Sequence, residues 1–277
     1  MIVVYTFVNY LHSKKHRNSF RRKMQIATWS DGGNPRIFGK EQIDWTRLKE
    51  ILARNTNKTG KNTPRVIIFA KAFAVAIESV KKSLGKITFG TFVALPSVDV
   101  SVQVRVKRGE MSWVLLRDCE KKSIRELTRE FEREVDTLKR GKHVRQNHHI
   151  RLIDRLPAFL VQLGMRVAMF FANDCGLDLP FLKLEKHPFG FFTISDISES
   201  GLSDSFGVLN PLMKCAINIQ LGKPEERVVA VNDKVEIREV LNMNVVFDHR
   251  YADGSDGSKM MKRFVEYMSN MEKHLGE

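Results

Sequence analysis

The stretch NMNVVFDHRYADGSDGSKMMKRF, residues 242–264, decides how this chain is read. Its first half is an apolar run of the kind that fills a buried strand. Its second half carries apolar residues at helical spacing. Between them stands Asp248-His249-Arg250, with Asp253-Gly254 just downstream. Histidine is the side chain whose proton affinity lies nearest neutral pH. A carboxylate follows it, beside a glycine that permits a tight turn into the helix. The loop is either a polar turn or the working end of an enzyme.

Outward from this loop, KVEIREVLNMNVVF reads as one or two strands, KCAINIQLG as another and FFTISDI as another. On the C-terminal side, Asp256 to Leu275 reads as the last helix. Met260, Met261, Phe264, Met268, Met271 and Leu275 line its inner side. That methionine row has helical spacing and belongs to a core, not to a metal site. Towards the N-terminus, SDGGNPRIFG reads as a turn entering a strand, and Thr46 to Arg54 as a short helix. Thr63-Pro64 opens a helix, RVIIFAKAFAVAIESVKKSL, apolar almost all round and therefore buried. SVDVSVQVRV, residues 97–106, is a strand with Val98, Val100, Val102, Val104 and Val106 on one face and polar residues on the other. Ser123 and Glu126 form a capping box ahead of a helix that turns Ile124, Leu127, Phe131, Val135 and Leu138 inward and stops at Gly141.

The chain has 277 residues, 43% apolar and 28% charged, as in an ordinary globular protein. We expect one domain over residues 1–277. Cys119, Cys175 and Cys215 lie far apart and beside no histidine pair, so neither a zinc site nor a disulfide framework is indicated. A reducing cytoplasm is the expected location. The net charge of +14 suits nucleic acid, an acidic membrane surface or an anionic ligand such as a coenzyme. The densest basic cluster, SKKHRNSFRRK at 13–23, has no nucleic-acid-binding motif around it, which disfavours nucleic acid. MIVVYTFVNYL at the start is too short to span a bilayer and reads as a strand; a surface anchor with a basic flank is the alternative. No GxGxxG or GxxxxGK[ST] occurs, and strands and helices do not alternate as in a doubly wound sheet.

FGFFTISDISESG at 189–201, VLNPLMKCAINIQLG at 208–222 and the run from Arg227 to Phe264 ending in DHRYADG form one ordered set. Together they resemble the catalytic domain of the dihydrolipoamide acyltransferases of 2-oxo acid dehydrogenase complexes. Chloramphenicol acetyltransferase is a more distant relative. The resemblance is close over 189–277 and weaker over 20–142. It implies an α/β fold, a mixed sheet sandwich of the chloramphenicol acetyltransferase-like kind, in a homotrimer with sites between subunits. It implies a CoA-dependent acyltransferase that moves an acyl group between coenzyme A and a thiol or hydroxyl without a covalent acyl-enzyme. His249 is then the general base, which suits its proton affinity. Ser195 supplies the hydroxyl that holds the oxyanion. Asp253 organises the loop by pairing with an arginine, for which Arg21 and Arg22 are candidates. Coenzyme A enters as acyl-CoA. The acceptor is either a lipoyl group on a separately encoded protein or a small molecule.

Three departures from the family shape the expectation. No lipoyl domain, subunit-binding domain or Pro/Ala-rich linker is visible, so no lipoyl group is expected on this chain. Residues 143–188 form an atypical insert that includes the apolar segment from Ala158 to Leu177. That segment fits an extra core helix, an acyl-pocket wall, a membrane contact or a subunit cover. The charged tail MEKHLGE predicts a trimer that does not build a cage. Asp248 and Arg250 are expected to tie down the strand end, and Asn210-Pro211 to make a structural turn. His148 and His149, in NHHIRLID, are expected to be surface residues of the insert. A second reading is a catalytically inactive homologue that serves as an oligomeric scaffold or a membrane-surface module.

Overall fold

The computed structural model describes residues 36–60, 62–94, 96–106, 111–140, 158–182 and 184–276. The expected N-terminal strand, the basic cluster at 13–23, Arg21, Arg22, His148 and His149 lie outside those residues. Strand β1 (Arg36–Asp44) runs into helix α1 (Trp45–Thr59), longer at both ends than the apolar pattern predicts. Asp44 caps α1 by accepting from the Arg47 amide at 3.1 Å. Helix α2 (Arg65–Glu78) follows Pro64, which stands at the N-cap. A hairpin, β2 (Gly85–Thr88) and β3 (Thr91–Ala94), leads into β4 (Val100–Arg105) and β5 (Met111–Leu116). Helix α3 (Ile124–Lys139) opens with the expected capping box, both reciprocal bonds between Ser123 and Glu126 being formed. After α4 (Ala158–Met169) come β6 (Phe192–Asp196), β7 (Ile217–Leu221), β8 (Glu225–Val231) and β9 (Lys234–Asp248). Helices α5 (Gly254–Ser269) and α6 (Met271–Gly276) close the described chain.

Seven of the described strands make one mixed sheet in the order β1-β9-β7-β6-β4-β5, with β8 paired to β9 beyond that path, and β2 and β3 pair only with each other. β4, β6 and β7 run parallel to one another; the other pairings are antiparallel. The long apolar run is a single strand, β9, which pairs along its length with β1, β7 and β8. The β8–β9 turn places Asn232 and Asp233 at positive φ, a backbone form these two residues tolerate better than most.

One face of the sheet is apolar and covered by helices. Val100, Val102, Phe192, Ile194, Ile217, Ile219, Leu221, Leu241, Met243 and Val245 point there. α2 sits in the middle, against α3, α5, β4 and β6. Its Ile67, Ile68, Phe69, Phe73 and Ile77 are 0–1% exposed, which explains a helix with no polar face. Each such side chain contributes about 2 kcal/mol of transfer free energy. The predicted last helix is divided at Asn270; Met260, Phe264, Met271 and Leu275 are buried as expected, and Met261 and Met268 partly so.

The opposite face is polar. Ser101, Thr193, Ser195, Asn242 and Asn244 point there and are all buried, so the period-2 pattern reports sidedness but not exposure. Residues 203–209 lie along part of this face. Asn242 donates to Ser203 O at 3.1 Å, Lys40 pairs with Asp204, and Phe38 meets Phe206 edge-on at 5.3 Å. Gly222, the glycine after β7, makes this approach possible: a Cβ there would stand 2.1 Å from Ser203 O. Gly222→Ala is therefore expected to lower unfolding free energy by on the order of 1–3 kcal/mol, read from the midpoint of urea denaturation.

The segment expected to be an insert departs from the simplest expectation. Its helix α4 forms and continues through a π-helical turn, Phe170–Asp174, but it does not join the core. Leu160, Leu163, Met165, Val167, Phe170 and Phe171 are exposed, and among its residues whose burial is described only Ala172 and Asn173 at its end are buried. The apolar composition signalled a helix that needs a cover; within the described residues that cover is not the core. Among the described residues no helix is long and apolar enough to cross a membrane.

Candidate active site

His249 stands in the turn immediately after β9. The turn is held from both sides. Upstream, Asp248 N donates to Ala216 O at 2.9 Å, extending the β7–β9 ladder by one residue. The Arg250 guanidinium folds back on the Asp248 carboxylate, with Nε 3.0 Å from each oxygen, and Arg250 N donates to the same carboxylate at 2.9 Å. Two residues thus clamp the strand end around the histidine, the role expected of them. Tyr251 N donates to Asp248 O at 3.0 Å. Burial pushes the Tyr251 phenol above its ordinary range, with the Asp248 charge adding to it, so a neutral hydroxyl lies beside this turn. His249 itself is half-buried.

Downstream, Asp253 is the N-cap of α5. Its carboxylate accepts from Ser255 N at 2.8 Å, Ser255 Oγ at 2.8 Å and Asp256 N at 3.1 Å. Asp256 reaches back to the Asp253 amide and also accepts from Ser83 Oγ at 2.7 Å, which anchors the helix start to the turn after α2. A carboxylate at a helix N-terminus satisfies otherwise orphaned amides and meets the positive end of the helix dipole. Asp253→Ala is expected to cost about 1 kcal/mol of unfolding free energy, with Asp253→Asn retaining most of it; urea denaturation measures both. The arginine partner expected for Asp253, Arg21 or Arg22, lies outside the described residues. Gly254 does not have the role given to it. It is the first residue of α5, has no positive φ, and a Cβ there would meet nothing within 4 Å. The glycine under constraint is Gly257, whose Cβ would press on the Phe247 ring at 3.2 Å.

Ser195 lies on β6, 5% exposed, on the polar face. The next residue, Asp196, receives a two-pronged ion pair from Arg65 at the start of α2, and Ser198 N and Oγ donate to it at 3.0 and 2.6 Å. Burial opposes the Asp196 charge, but the Arg65 and Ser198 bonds outweigh it and hold the carboxyl below its usual range. Arg65 also donates to Gly222 O at 3.3 Å and stands over the Trp45 ring at 5.4 Å. This clamp at the end of the serine strand had no sequence signal, because Arg65 and Asp196 are 131 positions apart.

Ser195 and His249 are not brought together within one chain. In register, Ser195 is level with Gln220 on β7 and Asn244 on β9. The His249 turn begins beyond Asp248, four residues further along β9. Two strand spacings across and four residues along put Ser195 and Asp248 roughly 16 Å apart. Side chains stand nearly perpendicular to a sheet, so they do not close such a gap. Four side-chain oxygens on this face, Ser101 Oγ, Asn218 Oδ1, Gln220 Oε1 and Asn244 Oδ1, are buried with no hydrogen-bond partner among the described residues. A buried polar group left so costs about 1–3 kcal/mol, and the row beside Ser195 is therefore suited to a polar partner.

Comparison with known proteins adds the family setting. The sequence pattern of the 2-oxoacid dehydrogenases acyltransferase (catalytic domain) matches residues 182–276, which contain Ser195, His249 and Asp253. A dihydrolipoyllysine-residue acetyltransferase component of the pyruvate dehydrogenase complex from Rickettsia bellii is 30% identical over 80 residues, 28% of this chain and 19% of that protein. A succinyltransferase component of the 2-oxoglutarate dehydrogenase complex from Rickettsia felis is 33% identical over 86 residues, 31% of this chain and 21% of that protein. The chain thus matches about a fifth of the length of these curated relatives. The fold likeness reaches much further. The dihydrolipoamide acetyltransferase of Azotobacter vinelandii superposes with a TM-score of 0.62 at 16% identity, over 91% of this chain and 87% of that one. A probable dihydrolipoamide acetyltransferase from Listeria monocytogenes does so with 0.60 at 16%, over 94% and 92%. The chain has the fold of dihydrolipoamide acetyltransferase catalytic cores, and its residues 182–276 resemble the catalytic domain of the 2-oxoacid dehydrogenase acyltransferases.

Proposed function

We propose that the protein is a CoA-dependent acyltransferase whose site forms between two copies of the chain. His249 of one copy takes the proton of an acceptor thiol or alcohol. The acceptor attacks the thioester carbonyl of an acyl-CoA, and the Ser195 hydroxyl of the neighbouring copy donates to the resulting oxyanion. Collapse breaks the carbon–sulfur bond. The departing thiolate takes the proton back from the imidazolium, so atoms and charge balance without an acyl-enzyme. Asp253 positions the histidine through the cap of α5. Coenzyme A is a substrate here, and the +14 net charge suits its phosphates.

One observation carries this reading. His249 and Ser195 are each held by clamps of their own, yet they lie too far apart in one chain to share a reacting group. A second copy supplies what each lacks, and a closed trimer repeats the arrangement at every interface. The curated relatives act on dihydrolipoyllysine residues in multienzyme complexes, and a related fold builds the cubic core of the pyruvate dehydrogenase complex. A lipoyl group on a separate protein and a small thiol or alcohol are the acceptors to compare. The test is thiol release from a panel of acyl-CoAs with dihydrolipoamide or simple alcohols. Turnover with one acceptor class supports the enzyme and names its acceptor. Absence of turnover with every pair, together with absence of CoA binding, favours the scaffold reading, for which the exposed apolar α4 is the docking face.

A further inference from the structure

A cavity of about 290 Å³ lies between the β2–β3 hairpin and residues 173–190. Its charges do not cancel. Asp99 is engaged by Arg117 at 3.1 Å, by Ser97 Oγ at 3.0 Å and by the Asp118 amide at 3.0 Å. Asp174 is paired with Lys214. Lys86 lines the same cavity, mostly withdrawn from solvent, and its ammonium has no hydrogen bond or ion pair among the described residues. His187 lines the same cavity, and its Nδ1 is buried and has no partner among the described residues. His187 is also held at φ +50°, with its amide on Ala172 O at 3.1 Å and its carbonyl accepting from Gly190 N at 3.1 Å. A non-glycine residue in that conformation costs on the order of 1 kcal/mol and persists where its surroundings impose it.

We propose that this cavity binds the anionic head of a small organic ligand, a carboxylate or a phosphate, with Lys86 as its charge partner and His187 as its hydrogen-bond partner. The volume is at the lower end for ligand pockets, so the occupant is small. Burial lowers the Lys86 ammonium to about 8, so it is still mostly charged at neutral pH. Burial, with Lys86 and Arg117 nearby, lowers His187 to about 4, so the ring is neutral and offers one donor and one acceptor. The residues of the catalytic turn, 248–253, are not among those that line the cavity. Phe191 N on Asp99 O, Ala216 N on Phe191 O and Asp248 N on Ala216 O form successive rungs at 2.8 to 2.9 Å. Three strand spacings put Asp99 roughly 14 Å from Asp248.

The test titrates the full chain with sodium acetate and, separately, sodium phosphate at constant ionic strength, following the melting temperature. Wild type is expected to show a saturable rise with at least one of the two, and the one that acts names the chemistry. Lys86→Met should weaken that response on the order of tenfold or more. Without anion the variant should melt at or above wild type, because it removes an unpaired charge from a low-dielectric site. Lys86→Arg should keep the response. No saturable response to either anion, or an equal response in wild type and Lys86→Met, overturns the proposal. Since the readout is binding, this outcome does not depend on acyl transfer.

Discussion

Replacing His249 with alanine is expected to lower the rate of acyl transfer by on the order of 100-fold or more, with little change in unfolding free energy. The two halves of the expectation have separate causes. An acceptor thiol or alcohol is mostly protonated at neutral pH, and without a positioned base the reaction depends on the small fraction already ionised. Stability should barely move because the turn is held by other groups. The Asp248–Arg250 clamp, the Asp248 amide on Ala216 O and the Asp253 cap all remain when the imidazole is removed. Thiol release from acyl-CoA, measured beside urea denaturation, separates the two. A variant that folds as wild type and turns over at the wild-type rate would remove His249 from the mechanism.

Ser195→Ala is the second large effect, on the order of 100- to 1000-fold in kcat, since it removes a donor to the oxyanion from a buried site. The KM for acyl-CoA should change little, because the oxyanion exists only in the transition state and intermediate. The more informative form of this prediction mixes the two dead variants. If His249 and Ser195 of different copies meet, a His249→Ala chain still offers its serine and a Ser195→Ala chain its histidine. Random assortment of equal amounts should then restore about a quarter of wild-type activity, the fraction of interfaces that receive both intact groups. Refolding the two together and assaying thiol release gives the answer. If the mixture stays as inactive as its components while forming the same oligomer, the site is not shared between copies.

The local features were legible because they depend on near neighbours. The Ser123–Glu126 box, the apolar α2 and the strands on either side of FFTIS follow from caps and periodicity. The loop at His249 was legible for the same reason: the apolar run of β9 ends where Asp248 begins, and a helix start follows within a few residues. Gly254 shows where such reading goes astray. A glycine beside an N-cap suggests a turn that needs it, yet the backbone there is ordinary and the space open, while the crowded position is Gly257 under Phe247. Which glycine is constrained depends on what packs above it, and the local pattern does not hold that information.

Ser195, His249 and Asp253 became candidates through the resemblance to the acyltransferase pattern; the sequence by itself determined the secondary structure around the site and the alternation of apolar and polar residues that gives the sheet two unlike faces. These are short-range properties, set by backbone sterics and by the period of each element. Tertiary structure alone decided four things: that the polar face is buried, that Ser195 and His249 lie far apart in one chain, that α4 stays outside the core, and that Lys86 and His187 line one cavity. Each depends on strand order and register, which join residues more than a hundred positions apart through contacts that no local pattern encodes.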